Sequence, residues 1–501
     1  MMLTKLLDRV EVRKLYYSLY GQMVVTHDLR INRIKYDSRK IERGDMFVAL
    51  KGSTLDGSKF VNEAMHNGAA VVVLEDDSAY PDSLFMHTGV AKLVVPNARI
   101  ALAQLSLNYY DNPSKQLRMV GVTGTNGKTT VTHLLRQLLE RSGSKTGLIG
   151  TIEYVIGDRH MPATHTTPES LELQALLAEM RDSGCSSAVM EVSSHALDQR
   201  RVYGIEYHTS VFTNLTQDHL DYHGSMESYY RAKKLLFEGG TSTWSVINTD
   251  DEYGTRLYND VKGSKISYGI STAADVRVAD IKLSSRQTTF TVEYKGVRTS
   301  IETPLLGRFN VYNTLAAFAA GSTLGFSAEF MRDTLREVSA VPGRFERVLS
   351  PAGWLVIIDY AHTPDALQKV LAAIHDLNAG AGSSRIITVF GCGGNRDTKK
   401  RPIMARIASE MSAITIVTSD NPRHEDPQAI IDDIMKGVAG GSEVYTEVDR
   451  TKAITMALDM AKPGDVVLLA GKGHEDYQII GDKKIHLSDR EIVQEYLGAH
   501  A

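Results

Sequence analysis

The stretch VGVTGTNGKTTVTHLLRQLLE, Val120 to Glu140, predicts a strand, a glycine loop and an amphipathic helix in direct succession. Its first residues are apolar or β-branched, and leucines recur at helical spacing after the loop. In such a loop, glycines let backbone N–H groups turn inward around a phosphate, and the following helix offers its positive N-terminus. The stretch therefore predicts a phosphate-binding loop at the carboxyl end of a strand in a parallel sheet.

The loop is a compact variant, G-x-x-G-K-T, made of Gly124, Thr125, Asn126, Gly127, Lys128, Thr129 and Thr130. The standard pattern has a further glycine at the position that Val122 occupies here. Lys128 can neutralise β- and γ-phosphate charge, and the Thr129 hydroxyl suits Mg²⁺. A glycine turn that merely caps a helix is the alternative, but Lys-Thr-Thr at the helix start favours the phosphate loop.

The composition is that of an ordinary globular protein, and it excludes several classes. The chain has 501 residues, 43% hydrophobic and 23% charged, and a formal net charge of -4. A dedicated nucleic-acid binder would present a basic face, and the short run Lys399-Lys400-Arg401 does not supply one. Two cysteines, no secretory signal and no apolar run of about 20 residues predict a cytoplasmic protein without membrane insertion.

Strand-like and helical patterns divide the chain into three α/β segments. Residues 1–115 form a small unit that ends in the turn sequence Asp111-Asn112-Pro113-Ser114. Residues 116–342 alternate apolar strands with helices, which predicts a mostly parallel sheet covered on both faces. After a proline-glycine break, the alternation restarts over 343–501 and predicts a third domain.

Acidic and basic candidates for a metal-nucleotide site follow the loop. Glu191 ends the strand SSAVMEV, where a carboxylate would face the crevice at the carboxyl ends of the strands. His219 lies in the polar run Asp218 to His223, which could suggest zinc but lacks zinc-ligand spacing. Lys233 lies in YYRAKKLLF, and on the sequence alone a solvated lysine beside Lys234 is the better interpretation.

Ten motifs occur in the order found in Mur ligases, and the chain resembles that family from about Asp37 to Arg490. The motifs are GTNGKTT, EVSSHALDQRRV, LTQDHLDYHG, YRAKKLLF, GRFNVYNTLAA, VPGRFE, DYAHTPDAL, GCGGNRDTKKRP, SDNPRHEDP and GKGHEDYQ. The resemblance is strongest to the members that add the third residue of the peptidoglycan stem peptide.

The resemblance implies three domains and an amide ligation. They are an N-terminal domain for the UDP moiety, a central P-loop ATPase domain and a C-terminal Rossmann-like domain that brings the amino acid. The implied reaction joins UDP-N-acetylmuramoyl-L-alanyl-D-glutamate to a diamino acid, with ATP converted to ADP and phosphate. The γ-phosphoryl group would go to the D-glutamate γ-carboxylate, and positive charge around it would be the main catalytic requirement.

The resemblance also assigns roles in catalysis and nucleotide binding. Lys128 would hold phosphate, Thr129 and Glu191 would hold one Mg²⁺, and His219 with a carbamylated Lys233 would hold a second. Adenine-side contacts would come from Asn310 and Asn313, which could instead cap a helix. The C-terminal domain would contribute Arg344 and Asp359, near Tyr360 and His362, which implies domain closure before chemistry.

Recognition of the uridine and muramoyl groups is implied for a third set: Ser38, Thr166, Thr167, Ser193, Gln199 and Arg201. Ser38 could equally be a serine in a turn at a strand end. Arg201 is the better candidate, because a guanidinium suits a pyrophosphate or carboxylate in bidentate fashion.

The run Asp420, Asn421, Pro422 and Arg423 indicates which amino acid is added. Asn-Pro by itself is a turn starter, but in the family DNPR accompanies meso-diaminopimelate, whose extra carboxylate Arg423 could bind. Lysine lacks that carboxylate and is the alternative substrate. By the resemblance, the amino-acid site is completed by Arg396, Gly471 and Glu475, with Glu475 reading an ammonium group. GCGGNRD lacks dinucleotide-loop spacing, so an NAD role is discounted.

Rival functions remain. A folylpolyglutamate synthase or the MurF step belongs to the same superfamily, but DNPR and GKGHEDYQ speak against both. A P-loop NTPase switch or motor, or a non-catalytic nucleotide-binding scaffold, would be a different class. Substrate-dependent phosphate release separates a ligase from a switch. We expect the protein to act as a monomer.

Overall fold

The computed structural model describes residues 1–19, 22–23, 29–52, 55–238, 242–271, 273–284, 286–378, 384–440 and 443–499. The chain forms two compact units. One comprises residues 1–120 and 144–208, and the other comprises residues 121–143 and 209–501. Helices and strands are numbered separately along the chain.

The first 116 residues build a five-stranded sheet in the order β1-β7-β6-β5-β4, parallel except for β1. Valines 71 to 73 on β6 are fully buried, which accounts for the apolar run in the sequence. The elements are α1 (Leu3–Leu6), β1 (Lys14–Tyr16), β2 (Ser18–Leu19), β3 (Gln22–Met23), β4 (Ile34–Lys35), β5 (Met46–Val48), α2 (Val61–His66), β6 (Val71–Leu74), α3 (Asp82–Phe85), β7 (Ala91–Val94) and α4 (Ala98–Tyr109).

The central segment begins with the strand that precedes the phosphate loop. Its elements are β8 (Arg118–Thr123), α5 (Lys128–Arg141), β9 (Thr146–Ile149), β10 (Glu153–Ile156), β11 (Arg159–Pro162), α6 (Ser170–Asp182), β12 (Ser187–Glu191), α7 (Ser194–Asp198), β13 (Tyr207–Phe212), α8 (Leu220–His223), α9 (Met226–Lys234), β14 (Ser242–Asn248), α10 (Glu252–Asp260), β15 (Ser264–Gly269), β16 (Val276–Leu283), β17 (Thr288–Tyr294), β18 (Val297–Thr303), α11 (Arg308–Thr323) and α12 (Ala328–Arg336).

Each unit has its own run of neighbouring strands in this segment. In the first unit the order is β11-β10-β9-β12-β8, with β9 and β12 parallel and a β10–β11 hairpin. In the second unit β13 is followed by β14-β15-β16-β17-β18, of which β14, β15 and β16 are parallel and the last two pairings are antiparallel. Strands β8 and β13 each pass from one unit into the other.

The C-terminal segment lies wholly in the second unit and forms a six-stranded sheet in the order β19-β20-β24-β21-β22-β23. All neighbours are parallel except β19 and β20. The elements are β19 (Glu346–Leu349), β20 (Leu355–Asp359), α13 (Pro364–Asn378), β21 (Ile386–Phe390), α14 (Lys400–Met411), β22 (Ile414–Thr418), α15 (Pro427–Met435), β23 (Glu443–Glu447), α16 (Arg450–Met460), β24 (Val466–Ala470), β25 (Tyr477–Ile480), β26 (Lys483–His486) and α17 (Asp489–Ala499).

The predicted α/β class, the parallel central strands and the C-terminal α/β sheet are confirmed. The boundaries at residues 115 and 342 stay predictions. The antiparallel strands β16 to β18 and the hairpin of β25 and β26 were not predicted from the sequence. Among the helices of the described residues, none combines the length and apolarity needed to cross a bilayer.

A buried ion pair joins two helices of the C-terminal segment. Arg450 and Asp489 are both fully buried, with Nε and Nη2 donating to the two carboxylate oxygens at 2.8 and 2.7 Å. We expect Asp489→Asn to lower the free energy of unfolding by about 3–5 kcal/mol, because it leaves a buried guanidinium uncompensated. Urea denaturation measures this, with the exposed-pair variant Asp333→Asn as the matched control. Equal, small effects of the two changes would contradict the prediction.

Candidate functional site

The phosphate loop joins the buried strand β8 to α5. Gly127 has a φ of +86°, and a Cβ there would collide with Oδ1 of Asn313, so glycine is required. Asn313 and Asn310 are buried in the first turns of α11 and are linked by a 2.9 Å hydrogen bond. Asn313 therefore contacts the loop, and its hydrogen bond to Asn310 keeps the two predicted adenine-side residues together. The first amides of α5 have no intrahelical acceptor and are available to a phosphate.

Residues after β13 hold the loop from the other side. The Thr125 and Asn126 backbone N–H groups donate to the Asn214 carbonyl and side chain, each at 2.9 Å. The Thr213 hydroxyl donates to the Asn126 carbonyl at 2.6 Å, and Thr216 N–H donates to the Thr125 hydroxyl at 3.0 Å. These bonds fix the loop before any nucleotide binds. None of the three residues after β13 was singled out from the sequence.

Two lysines converge on one carbonyl of the loop. Lys128 Nζ donates to the carbonyl oxygens of Gly124 and Thr125 at 3.0 and 2.9 Å. Lys233 Nζ donates to the same Gly124 oxygen at 2.8 Å, across 109 residues of sequence. The two amine nitrogens thus meet at the start of the loop, where a nucleotide's phosphates would bind.

Lys233 is buried, with 1% of its surface exposed, so the solvated-lysine interpretation is wrong. Its Nζ lies 4.7 Å from the centre of the Tyr229 ring, and the Tyr229 hydroxyl is 3.3 Å from that of Thr125. Burial, followed by the charge of Lys128, lowers the pKa of Lys233 well below its usual value, against an opposing effect of Asp218. At a given pH, a larger fraction of Lys233 is therefore the neutral amine than for an ordinary lysine.

A cluster of charged and aromatic side chains surrounds Asp218. Its Oδ2 lies 3.3 Å from His219 Nε2 and 4.0 Å from His362 Nε2, and His362 lies in the C-terminal segment. Lys400 Nζ donates to the His362 carbonyl at 2.7 Å. Burial raises the pKa of Asp218, but the charges of His219, His362 and Lys400 outweigh it and leave the pKa below its ordinary value. His219 also packs edge-on to Tyr229, 6.1 Å between ring centres.

Two contacts connect the loop to the C-terminal segment. Arg344 Nη2 donates to the Thr129 hydroxyl at 3.0 Å, and its guanidinium lies 4.4 Å from the Tyr360 ring centre. Asn126 Nδ2 donates to Asp365 Oδ2 at 2.8 Å. The structure therefore places the predicted residue Arg344 on the phosphate loop. Asp365 is a loop contact that sequence reasoning missed, although it lies in the motif DYAHTPDAL.

Asp359 ends β20 beneath Arg344, and its carboxylate accepts the backbone N–H groups of Phe345 and Ala361 at 2.6 and 2.8 Å. Burial raises its pKa to about 6, although Arg344 and these backbone bonds lower it. Because the folded pKa lies above the unfolded one, folding is favoured by the protonated form. This contribution is complete below about pH 4 and is lost as the pH rises through about 6.

Between pH 4 and pH 7.5, we therefore expect the unfolding free energy of wild type to fall by about 2.5 kcal/mol relative to that of Asp359→Asn. Urea denaturation of both proteins at several pH values measures the difference, and taking the difference cancels the titration of all other groups. A difference that is independent of pH would contradict the prediction.

Acidic and basic side chains meet at the predicted amino-acid site. Asn421 Nδ2 donates to Glu475 Oε2 at 2.9 Å, and the fully buried Lys472 Nζ lies 3.2 Å from the same oxygen. Gly471 has a φ of +112°, and a Cβ there would lie 2.8 Å from Asp420 Oδ2. Burial raises the pKa of Asp420, but the charges of Lys472 and Arg450 outweigh it and leave the pKa low. Burial and the Asp420 charge raise the pKa of Glu475.

Arg423 follows Pro422 with a left-handed φ of +53° and is half-buried. Within the described residues, its guanidinium makes two hydrogen bonds. Nη1 donates both of them, to the carbonyls of Gly394 and Asn421 at 3.0 and 3.4 Å. Burial and the nearby charge of Arg396 lower the pKa of Arg423. The charges of Asp420 and Glu475 oppose this effect. Because Arg423 stays charged, the planar guanidinium beside Arg396 is suited to a carboxylate ligand.

The other unit contains the remaining predicted residues. Glu191 is buried at the end of β12, and its two carboxylate oxygens accept the N–H and hydroxyl of Thr151 at 2.9 and 3.0 Å. Thr167 donates to the Glu191 carbonyl at 2.8 Å and accepts the Ser193 N–H at 3.1 Å. Thr166 lies 3.0 Å from the Thr151 hydroxyl. These polar residues therefore form one connected cluster around the end of β12.

A cavity of about 580 Å³ in the same unit is lined by Tyr36, His165, Glu169 and Arg201, among others. Arg201 donates to the Thr167 carbonyl and to Gln199 Oε1, at 3.0 and 2.7 Å. Ser38 is buried in a turn after β4 and donates to Glu63 at 2.5 Å. The predicted uridine-side residue Ser38 follows the cavity residue Tyr36 by two positions, and Arg201 lines the cavity itself.

The predicted site residues fall into two sets. The second unit brings together the loop, Lys233, Arg344 and the amino-acid cluster, whereas Glu191 and the uridine-side residues belong to the first unit. In the part of the chain that the structure describes, no group of three or more His, Cys, Asp or Glu side chains is arranged to hold a metal ion. The contacts missed from the sequence lie mostly in the motifs already quoted: Asn214, Tyr229, Asp365, Lys400, Lys472 and Gln478.

Three profiles of one family match successive parts of the chain. Residues 30–110 match the "Mur ligase family, catalytic domain", residues 122–321 the "Mur ligase middle domain" and residues 343–473 the "Mur ligase, glutamate ligase domain". Together they match residues in each of the three predicted segments.

Relatives of known name are similar over almost the whole chain. UDP-N-acetylmuramoyl-L-alanyl-D-glutamate--2,6-diaminopimelate ligase 1 of Clostridium acetobutylicum is 46% identical over 94% of this chain and 95% of the relative. The ligase of the same name from Clostridium tetani is 44% identical over 97% and 98%. A solved structure of a UDP-N-acetylmuramoyl-L-alanyl-D-glutamate--2,6-diaminopimelate ligase is 33% identical, covers 95% of this chain and 96% of its own, and has a TM-score of 0.68. The chain therefore belongs to the Mur ligase family.

Proposed function

We propose that the protein is an ATP-dependent ligase that joins meso-diaminopimelate to UDP-N-acetylmuramoyl-L-alanyl-D-glutamate, forming ADP and phosphate. The relatives described above carry the name of this reaction. Ligation with L-lysine is the alternative within the same chemistry. A nucleotide switch is disfavoured because the loop adjoins a cluster suited to an amino acid.

One observation carries the proposal: Lys128 and Lys233 converge on the Gly124 carbonyl, in the same unit as the cluster of Asp420, Glu475 and Arg423. A loop that only held nucleotide would not need a second, buried lysine. An acyl transfer requires both phosphate binding and a site for the incoming amine. The residues proposed for both belong to one unit, which supports the proposal.

The chemistry explains why ATP is needed. The oxygen of a carboxylate is a poor leaving group, so the D-glutamate γ-carboxylate oxygen attacks the γ-phosphorus of ATP and ADP leaves. The amine of the diamino acid then attacks the acyl phosphate, and the tetrahedral intermediate releases phosphate and a proton as the amide forms. Lys128 neutralises charge in the first step, in which two anions approach each other. Glu475, with Asp420 beside it, binds the one ammonium group that does not react.

From the family resemblance we propose Thr129 and Glu191 as Mg²⁺ ligands, and His219 with a carbamate on Lys233 as ligands of a second Mg²⁺. The hydroxyl of Thr129 and the carboxylate of Glu191 are oxygen donors that suit Mg²⁺, and Glu191 is already oriented by Thr151. When bound, the metal supplies charge stabilisation for the transferring phosphoryl group. Formation of the carbamate joins Lys233 Nζ to CO₂ and releases one proton, and it requires the neutral amine that burial favours.

We assign the nucleotide sugar to the first unit. The cavity beside Tyr36 and Arg201 has a volume suited to a small-molecule ligand. The Arg201 guanidinium lies 3.5 Å from Glu169, and a pyrophosphate or carboxylate would exchange for that contact. Ser38, Thr166, Thr167, Ser193 and Gln199 would complete the contacts. We also propose boundaries at residues 115 and 342 for the three domains, a monomer, and a location in the cytoplasm, where the nucleotide substrates are made.

Phosphate release from ATP and Mg²⁺ tests the function. The assay contains UDP-N-acetylmuramoyl-L-alanyl-D-glutamate with meso-diaminopimelate, L-lysine or no amino acid, and mass spectrometry identifies the product. Release with diaminopimelate alone and a UDP-tripeptide product would support the proposal. Turnover with lysine that equals or exceeds that with diaminopimelate would overturn the amino-acid assignment. Release that is independent of both substrates would indicate a plain NTPase.

A further inference from the structure

The motif GKGHEDYQ ends in Gln478, a residue to which the proposed reaction gives no role. Gln478 lies on β25, which pairs only with β26 among the described strands. This hairpin, residues 477–486, is separate from the six-stranded sheet and lies against the segment 419–423. Its position raises the question of what a small hairpin does beside the amino-acid site.

The side chain of Gln478 is buried and points at the segment that precedes Arg423. Its Nε2 donates to the Asp420 carbonyl at 2.6 Å and to the Ser419 hydroxyl at 3.2 Å. Only 7% of its surface is exposed. An amide nitrogen has two hydrogens, so these two bonds use its full donor capacity. Gln478 thus ties the hairpin to the residue that begins the DNPR run.

The hairpin backbone holds the end of the same run. The Arg423 N–H donates to the Ile479 carbonyl at 3.0 Å, and the Gly481 N–H donates to the Arg423 carbonyl at 2.7 Å. The Ile479 N–H in turn donates to Asn421 Oδ1 at 2.9 Å. Both backbone groups of Arg423 are therefore bonded to the hairpin.

These bonds matter because Arg423 has the left-handed φ of +53°. That conformation is unfavourable for a residue with a Cβ, and it persists only where the surroundings hold it. The direction of the guanidinium follows from the backbone conformation at the same residue. Loss of the hairpin bonds would let the backbone relax and turn the cation away from its ligand.

We infer that the hairpin is a positioning element for amino-acid selectivity, in which Gln478 and the backbone of residues 479–481 fix Arg423 where it meets the distal carboxylate of the diamino acid. The inference rests on the proposed function and goes beyond it. Gln478 acts through Arg423 and Asp420 and is a positioning residue. The hairpin should therefore affect the binding of diaminopimelate more than the chemical step.

The first test compares full-length Gln478→Leu with wild type in steady-state kinetics. We expect the KM for meso-diaminopimelate to rise about tenfold, the effect of losing buried hydrogen bonds, and the preference over L-lysine to fall by about the same factor. The kcat and the KM for ATP should change less than about twofold. Lys483→Ala, an exposed change on the same hairpin, serves as the control and should match wild type.

A second pair of variants covers the case in which Gln478→Leu fails to fold. Gly481 and Gly464 have φ values of +58° and +89°, both have open space where a Cβ would be, and both donate to a backbone carbonyl. Gly481→Ala strains the bond to Arg423, whereas Gly464→Ala puts a similar strain elsewhere. We expect only Gly481→Ala to raise the KM for diaminopimelate and lower the preference over lysine.

The outcomes separate this inference from the proposed function. If wild type forms no UDP-tripeptide, the proposed function fails whatever the variants do. An active, selective wild type whose Gln478→Leu and Gly481→Ala variants keep the preference for diaminopimelate over lysine would overturn the inference alone. A fall in kcat with an unchanged KM for diaminopimelate would likewise overturn it, because that pattern assigns the hairpin to chemistry or to folding.

Discussion

Lys233→Ala is expected to lower kcat about 10³-fold with all substrates saturating, the loss typical of removing one preorganised electrostatic group. The amine is buried against the phosphate loop, where water cannot replace the carbamate that we propose on it. Steady-state assays measure the loss. A ¹³C-bicarbonate NMR experiment on wild type should show a carbamate signal that is absent from the variant.

Lys234→Ala is the matched control. Lys234 is the next residue on α9, but it points away from the loop and pairs with Asp260 and Glu238. Its replacement should leave kcat within about twofold of wild type, as for most exposed ion pairs. Equal losses in the two variants would indicate a general effect on the helix. A fully active Lys233→Ala enzyme would overturn the role of this lysine.

Arg423→Ala is expected to lower kcat/KM for meso-diaminopimelate about 10²-fold, because it removes a charged partner of the distal carboxylate. Turnover of L-lysine should change little, so the preference for diaminopimelate falls by about the same factor. Competition assays with both amino acids and product analysis by mass spectrometry measure the ratio.

Two further variants separate the guanidinium from other effects. Arg423→Lys has the same backbone strain as Arg423→Ala but keeps a positive charge without the planar fork, so its loss should be intermediate. Arg406→Ala, on the exposed face of α14, should behave as wild type. If Arg423→Ala lowers kcat/KM equally for both amino acids, Arg423 supports the site without binding the second carboxylate.

Much of the fold follows from the sequence, because the buried parallel strands are continuous apolar runs. The runs at 118–123, 187–191 and 466–470 all form strands at those positions. Strands β16 to β18 are half-exposed and are not continuous apolar runs, so they were missed, although the alternation of buried and exposed residues in β17 and β18 is typical of half-buried strands. The hairpin of β25 and β26 is short and mostly exposed, so it carries no clear apolar signal.

Sequence patterns predict less of the candidate site than of the fold. The phosphate loop could be predicted because all of its parts are adjacent in the chain. The burial of Lys233 could not, because a Lys-Lys pair looks solvated until the packing of Tyr229 and Gly124 around one of them is known. The contacts of Asp365 with Asn126 and of Gln478 with Asp420 join residues 239 and 58 positions apart, which no local pattern encodes.

The hydrogen bond from Arg344 to Thr129 has a thermodynamic consequence. It connects the segment after residue 343 to the very hydroxyl proposed to bind Mg²⁺. A ligand that takes this hydroxyl must compete with Arg344, so nucleotide affinity and the placement of the C-terminal segment are linked. By reciprocity, any interaction that stabilises the Arg344–Thr129 hydrogen bond weakens nucleotide binding. Bound nucleotide weakens that hydrogen bond by the same factor.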